Sequence, residues 1–423
     1  MAPVANLPIK TTHSPATQAE LAAAVAEAYA VGSAIYPIGG GTSLDFGLPA
    51  KTPGSGLSLG GLTRIVDYPA RDMTVTVEAG VTMQTLSELL AAEGQRLPLG
   101  VPLADKATVG GVVATNWNGP RRYGCGTVRD YVIGISAVDG RGMSFKGGGR
   151  VVKNVAGYDF CKLLTGSLGT LGVITQVTFK VRPLTEQFTL MACAVQTTRQ
   201  AEKLLAALVT SATTPVAIEL LCGATWDSEP ALKTLAGASG PEKLYLVVGF
   251  EGSAVEVEWM TGRLHDEWCA LGIEAPITIG DAADFWKKLV DFPAVGNAQP
   301  ADKDTAPLVL KASLVPSGVT PFIDALRTLD PPASIQCHAG NGIVIARLSA
   351  FPKEGLSRAL VGNLQPAAAA HHGSLLVLSN PSGSEMTHQS VWGGLDVPFA
   401  LMSAVKQKFD PKNILNPGRF VYV

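Results

Sequence analysis

The sequence predicts an α+β chain of two unlike parts, and two observations carry the prediction. Up to about Pro183, glycine clusters separate short β-rich runs. From Phe188 onward, strands and amphipathic helices succeed one another in a regular order. With 47% hydrophobic and 16% charged residues over 423 positions, the chain has ample material for a large core. A formal charge of −2 offers no electrostatic footprint for nucleic acid or for an anionic membrane.

The elements follow in order. Residues 1–16 hold one lysine, three prolines and no apolar run, which reads as an N-terminal extension and not as an export or transit signal. The Ala-rich stretch Gln18 to Val31 is interrupted by Glu20 and Glu27, and no other window is long and apolar enough to insert in a membrane. A cytoplasmic protein is the expectation, peripheral to a membrane only through a partner. Ala34 to Ile38, Thr74 to Glu78 and Val173 to Val181 read as strands. Thr82 is placed to cap a helix whose Leu86, Leu89 and Leu90 share one face. Ile133 to Val138 and Met143 to Lys146 form a hairpin around Asp139-Gly140-Arg141-Gly142.

In the second part, Phe188 to Val195 is a strand, Thr198 to Ser211 a helix, Val216 to Leu221 and Leu244 to Phe250 strands, Ala254 to Leu271 a helix and Ala275 to Ile279 a strand. The same β-α-β-β-α-β order then recurs. Leu308 to Val315 is a strand, Val319 to Leu329 a helix, Ser334 to His338 and Ile343 to Leu348 strands, Glu354 to His371 a helix and Ser374 to Leu378 a strand. Two such units predict a duplicated ferredoxin-like antiparallel sheet with its helices on one face. Asp281 to Thr305 lacks strand pattern, and a last helix over Pro398 to Phe409 leads into a turn-rich tail. The expected boundaries are 1–16, 17–185, 186–396 and 397–423.

Three stretches carry chemistry. In Tyr36-Pro37-Ile38-Gly39-Gly40-Gly41-Thr42-Ser43-Leu44, an apolar strand runs into three residues without Cβ, whose N–H groups can converge on phosphate oxygens. It is neither a P-loop nor a Rossmann fingerprint, since no Gly-Lys-Ser/Thr follows and Leu44 stands where a third Gly is needed. Lys106 to Asn116 opens a short helix with Thr108 as its cap and Val109, Gly110 and Gly111 in its first turn, then leads into Gly119-Pro120-Arg121-Arg122. Finally, Val151 to Asp159 precedes Gly166, Gly169 and Gly172 at three-residue spacing and the strand from Val173, a run suited to a flat ring lying on bare backbone.

Together with the ending Phe409-Asp410-Pro411-Lys412-Asn413-Ile414-Leu415-Asn416-Pro417-Gly418-Arg419, these stretches resemble the FAD-linked oxidase superfamily of the vanillyl-alcohol oxidase type. Gly119-Pro120-Arg121-Arg122, Val128-Arg129-Asp130 and Lys153 to Asp159 are most similar to the FAD-binding E subunits of bacterial glycolate oxidases. The resemblance implies a two-subdomain PCMH-type FAD-binding domain, an α+β cap and a C-terminal tail returning to the FAD domain. It also implies that Pro37 to Leu44, with Thr108 to Gly111 and Asn116, surround the FAD pyrophosphate and isoalloxazine. Gly119 joins the cofactor-binding residues on the same ground, Gly166, Gly169, Gly172 and Val173 meet the adenosine half and the ring, and Asn416 and Arg419 bring the tail back.

The departures bear on mechanism. Pro37 to Asp45 contains no histidine to tether a flavin, so the FAD is expected to be non-covalent; Cys125 sits where a few doubly tethered relatives carry a cysteine. The His-Ala-Gly-Asp-Gly-Asn-Leu-His segment of metal-using relatives becomes His338-Ala339-Gly340-Asn341-Gly342-Ile343-Val344-Ile345, and one imidazole makes no metal site. The six cysteines have no C-x-x-C spacing, which excludes iron–sulfur and structural zinc within the chain.

A 2-hydroxy acid needs a base for its hydroxyl proton and a cation for its carboxylate. Arg121, Arg122 and Arg419 are the candidate cations, and His388 is the candidate base, with His338 and the pair His371-His372 beside it. Trp392, Phe285 and Trp286 are candidate pocket walls. The expectation is the FAD-binding subunit of a hydroxy-acid-oxidising complex, working with a second flavoprotein subunit and an iron–sulfur subunit. A self-contained glycolate or D-lactate dehydrogenase and a non-catalytic flavin-bearing scaffold are the alternatives.

Overall fold

The computed structural model describes residues 7–149, 157–235, 240, 243–294, 308–380, 382–394 and 398–421. The segment 151–156, part of the third glycine-bearing stretch, lies outside the described residues, as does the expected boundary at 396. The chain divides into two units. The first comprises 1–118, 127–184 and 394–423, the second 119–126 and 185–393.

In the first unit, β1 (Ile9–His13), β2 (Ala34–Ile38) and β3 (Gly54–Ser58) form a parallel sheet in the order β1-β3-β2. Residues 9–13, expected to be part of an extension, are thus a strand. A five-stranded antiparallel sheet contains β4 (Ile65–Asp67), β5 (Thr74–Glu78), β7 (Val132–Val138), β8 (Ser144–Gly148) and β9 (Val173–Lys180), in the order β4-β5-β9-β7-β8. A two-stranded ribbon pairs β6 (Gln95–Arg96) with β10 (Arg182–Pro183).

The helix Gln18–Val31 begins where the Thr17 hydroxyl accepts from Glu20 N and ends at Gly32, which takes φ +70°. It buries Leu21 and Val25 against Ile35, Leu57, Val138, Ile414 and Leu415. The second core of this unit joins Val75, Val77, Leu86, Leu90, Val112, Ile135, Val177 and Phe179. The expected cap on the helix Met83–Ala91 is present, with the Thr82 hydroxyl accepting from Thr85 N.

The second unit is built on one antiparallel sheet of eight strands, β11 (Gln187–Val195), β12 (Ala217–Cys222), β13 (Leu244–Gly252), β14 (Ile277–Thr278), β15 (Val309–Ser313), β16 (Ser334–His338), β17 (Ile343–Arg347) and β18 (Ser374–Ser379). Their order is β14-β11-β13-β12-β16-β17-β15-β18. Counted within each repeat, that is 4-1-3-2 followed by 2-3-1-4, two ferredoxin-like sheets joined through their second strands. The helices Thr198–Thr210, Ala254–Ala270 and Val319–Leu329 pack against it.

One element adds to the expectation and two differ from it. Asp281 to Thr305 begins with a helix, Ala282–Asp291, because Asp281 accepts from Asp284 N and Phe285, Trp286 and Leu289 fall on its buried side. The helix expected from Glu354 starts at Ser357, winds in wider turns to Leu364 and continues as Gln365–Ala369. Pro366, with no N–H to donate, lies just after the change. Residues 119–126, expected within the FAD-binding domain, belong to the second unit, where Gly124 N donates to Val216 O at 3.1 Å. No helix of the described residues is long and apolar enough to cross a membrane.

Candidate functional site

β2 delivers the loop Gly39 to Gly41 onto residues 106–108. A Cβ on Gly39 would lie 2.2 Å from Thr108 Oγ1, and one on Gly40 would lie 1.6 Å from the Lys106 carbonyl. Only glycine allows the two segments this approach. Gly41 turns the chain at φ +75°. The third glycine-bearing loop joins them. A Cβ on Gly169 would reach 3.5 Å from Pro37 Cγ and 3.1 Å from Asn416 Nδ2, and one on Gly166 would lie 3.3 Å from Asn116 Cβ. The structure therefore gathers Pro37, the 39–41 loop, Thr108, Asn116, Gly166, Gly169 and Asn416 in one place.

Two hydroxyls in this place, Thr108 Oγ1 and Ser167 Oγ, are buried and have no hydrogen-bond partner among the described residues. Thr108 has the extended backbone of a helix cap, φ −96° and ψ 153°, yet its hydroxyl caps nothing. The expected open helix end is corrected too, since Val109 N donates to Val81 O and Gly110 N to Ala79 O. The polar groups on offer are side-chain hydroxyls more than a bare helix terminus. Gly111 borders the Thr108 hydroxyl, whose Oγ1 would be 3.3 Å from its Cβ.

The other expected cofactor residues have different surroundings. Val109 and Val173 are core residues, at 0% and 1% exposure. Gly172 lies against the Val138 carbonyl and the Phe145 ring. Ile38 O accepts from Leu59 N, and Ser43 O from Phe46 N. Thr42 and Leu44, on either side of Ser43, are half-buried. Gly119 sits in the second unit, its carbonyl accepting from Arg122 N. Arg419 is buried and donates from Nη2 to the carbonyls of Leu44 at 2.5 Å and Phe46 at 2.7 Å. It holds the chain after the glycine loop by main-chain contacts.

In the second unit, cross-strand register places Glu219 opposite His338, Leu221 opposite Gln336, and Ile345 opposite both Gln336 and Lys311. Because alternate residues share a face, Glu219, His338, Gln336 and Lys311 project from the same side of the sheet. Glu219 is fully buried and accepts from His338 Nδ1 at 2.8 Å and from Gln336 Nε2 at 2.7 Å. His338 Nε2 is buried with no partner among the described residues. Lys311 is held down to about 8 because burial disfavours its ammonium and the Arg122 guanidinium adds repulsion.

Arg121 is engaged by side chains of its own unit. Its Nε is 2.5 Å from Glu251 Oε1, and its guanidinium carbon is 4.3 Å from the Trp286 ring centre and 5.1 Å from that of Phe188. Cation–π contact with two rings and an ion pair with a buried carboxylate hold this planar cation where it stands. Phe285 and Trp286 are correspondingly buried in side-chain packing, against Trp226 and Phe188. His388 begins the helix His388–Trp392, half-buried, and burial lowers its pKa. Lys311 and Glu219 are the residues sequence reasoning missed; their signal is a lone charge inside an apolar strand, Leu308 to Val315 and Val216 to Leu221.

Ile345, at the place of the second histidine in metal-using relatives, is buried, and no cluster of metal-ligating side chains occurs among the described residues. All cysteines but Cys269 are buried.

Comparison with known proteins fits this geometry. Residues 10–147 match the FAD binding domain family, and residues 395–420 match the C-terminal domain of FAD linked oxidases. Glycolate oxidase subunit GlcE of Escherichia coli is 42% identical over 120 residues, which span 28% of this chain and 34% of that protein. A D-lactate dehydrogenase of Archaeoglobus fulgidus is 27% identical over 92% of this chain and 86% of its own length. Glycolate oxidase subunit GlcD of Bacillus subtilis is 25% identical over 91% and 83%. Among solved structures, an alkyldihydroxyacetonephosphate synthase superposes with a TM-score of 0.68 over 96% of this chain and 75% of its own, at 17% identity, which shows a shared fold.

Proposed function

The chain belongs to the FAD-linked oxidases, and from that premise we propose that it is the FAD-binding subunit of a glycolate oxidase-like complex acting on a small 2-hydroxy acid. One observation supports the cofactor reading above the rest. Thr108 Oγ1 and Ser167 Oγ are buried without partners where loops free of Cβ converge. A buried hydroxyl without a hydrogen bond is costly, and a polar cofactor relieves that cost. When bound, FAD supplies the hydride acceptor. The residues that would hold it are Pro37, Gly39 to Gly41, Thr108, Gly111, Asn116, Gly166, Ser167, Gly169 and Asn416, with Arg419 fixing the loop behind them. Non-covalent attachment is part of this reading, since Pro37 to Asp45 holds no histidine to tether the flavin.

Toward a hydroxy acid, the second unit offers Lys311 and Arg122 as cations for the carboxylate. We assign Arg121 to packing and not to the substrate, and we rank His338 above His388 as proton acceptor. The Glu219 contact fixes the proton of His338 on Nδ1 and leaves Nε2 with its lone pair. The partners in this reading are a second flavoprotein subunit and an iron–sulfur subunit, the latter because the chain has no spacing for a cluster of its own.

The test is anaerobic mixing of the yellow protein with glycolate or D-lactate. Loss of visible flavin absorption only after a second flavoprotein subunit is added supports the subunit reading. Bleaching by the chain alone supports the self-contained dehydrogenase that the Glu219–His338 pair favours. Colourless protein that takes up no FAD overturns both.

A further inference from the structure

A fully buried lysine needs a reason. Lys406, on the helix Pro398–Phe409, has no exposed side-chain surface, and neither has Asp410 one turn later. Lys406 Nζ lies 2.5 Å from Asp410 Oδ2 and also donates to the carbonyls of Thr170 at 2.9 Å and Leu415 at 3.0 Å. All three ammonium hydrogens are thereby used. The Asp410 carboxylate accepts in addition from Ile414 N at 3.0 Å and Leu415 N at 2.7 Å. An apolar pair of equal volume would stabilise the fold at least as well. What an apolar pair lacks is direction, and these bonds tie residues 406–416 to the loop that ends at Thr170.

That loop is bent into a shape it would not adopt alone. Gly166, Leu168 and Gly169 all have positive φ, of 83°, 52° and 68°, and for leucine this region is disfavoured. The shape is imposed from two sides. From the helix Val109–Thr115, the Val113 and Ala114 carbonyls accept from Gly166 N at 2.9 Å and Leu168 N at 2.8 Å. From the C-terminal turn, Asn416 Nδ2 donates to Leu168 O at 2.7 Å and Lys406 to Thr170 O. The turn is itself anchored, since Gly140 N donates to Phe409 O at 2.8 Å.

We infer that Lys406 and Asp410 are positioning residues for the cofactor, a latch that sets the 166–170 loop in its FAD-gripping shape. The inference rests on the reading of the glycine-lined place as an FAD site. Since coupling is reciprocal, FAD binding must in turn tighten the latch.

Two measurements test it. In hydrogen exchange on the wild-type protein, FAD is expected to slow the amides of Ile414 and Leu415 together with Gly166 and Leu168. Protection of the loop with no change at 414–415 overturns the latch and leaves the FAD reading intact; no FAD binding at all removes both. In FAD titration followed by flavin fluorescence, K406M and D410N are expected to weaken binding at least tenfold. L86A, a core truncation in the helix Met83–Ala91, is expected to lower stability while keeping the Kd within twofold. Variants that bind like wild type, or an L86A that weakens binding equally, overturn the proposal. If K406M does not fold, the exchange experiment decides alone.

Discussion

His338 Nδ1 lies 2.8 Å from Glu219 Oε1 on neighbouring strands, in a part of the sheet that is almost free of solvent. The carboxylate also holds Gln336, so its removal leaves two buried donors unpaired. E219A is expected to lower unfolding free energy by about 3 kcal/mol in urea titrations, and E219Q by about half as much. If His338 accepts the substrate proton, H338Q slows flavin reduction by about 10²-fold or more while the FAD Kd stays put. A reduction rate within threefold of wild type assigns the dyad to packing alone.

Gly40 approaches the Lys106 carbonyl more closely than any side chain permits. G40A therefore forces the two loops apart. It should destabilise the fold by about 2–4 kcal/mol, the range of other backbone clashes, and lower FAD occupancy of purified protein more than tenfold. The ratio of visible to protein absorption reads this directly. Full occupancy in G40A would show that the cofactor does not depend on this loop contact.

Lys311 makes a pH-dependent prediction whose sign is fixed. Its folded-state pKa, about 8, is below the ordinary 10.5, so the unfolded chain binds the proton more tightly and the charge penalises the fold at neutral pH. The penalty is present below pH 8 and disappears as pH rises toward 10.5. K311M should thus be more stable than wild type by about 1–3 kcal/mol at pH 7, a range that allows for solvent screening, with the gain shrinking by pH 10. A stabilising loss of charge accompanied by slower flavin reduction marks a residue retained for chemistry.

Legibility differed between features. β2, β5 and β16 and the helix Val319–Leu329 have the limits their apolar spacing predicts, because short, largely buried runs with Gly, Pro or Ser close to an end leave little freedom. The glycine loops were legible as a group, and the structure brings three of them together. Arg121 was not, because a sequence does not distinguish a guanidinium stacked on Trp286 from one awaiting an anion. Glu219 and His338 are over a hundred residues apart, and only strand register makes them neighbours. Residues 119–126 read as a continuation of the first unit because nothing local signals that Gly124 pairs with Val216.

Burial raises the thiols of Cys161 and Cys222 to about 11 and that of Cys193 to about 12, and pushes Cys337 up as well. At pH 8, a thiol of pKa 11 is about one part in a thousand thiolate, the reactive form. Ellman titration of the native protein is expected to show fast labelling at exposed Cys269, with those four reacting only after unfolding. Rapid labelling of Cys222 or Cys337 would mean that the large sheet opens readily.

Ile35 N donates to Ile414 O at 2.7 Å, and Asn416 N donates to Ile35 O at 3.0 Å. The strand feeding the first glycine loop, already paired with β3, therefore acquires its second neighbour only when residues 414–416 have left the ribosome. Until then the nascent chain holds an unfinished cofactor house, and the intervening eight-stranded sheet has time to form first during translation. Yellow colour is in that sense a late event in biosynthesis, acquired once residues 414–416 are made rather than by earlier fragments.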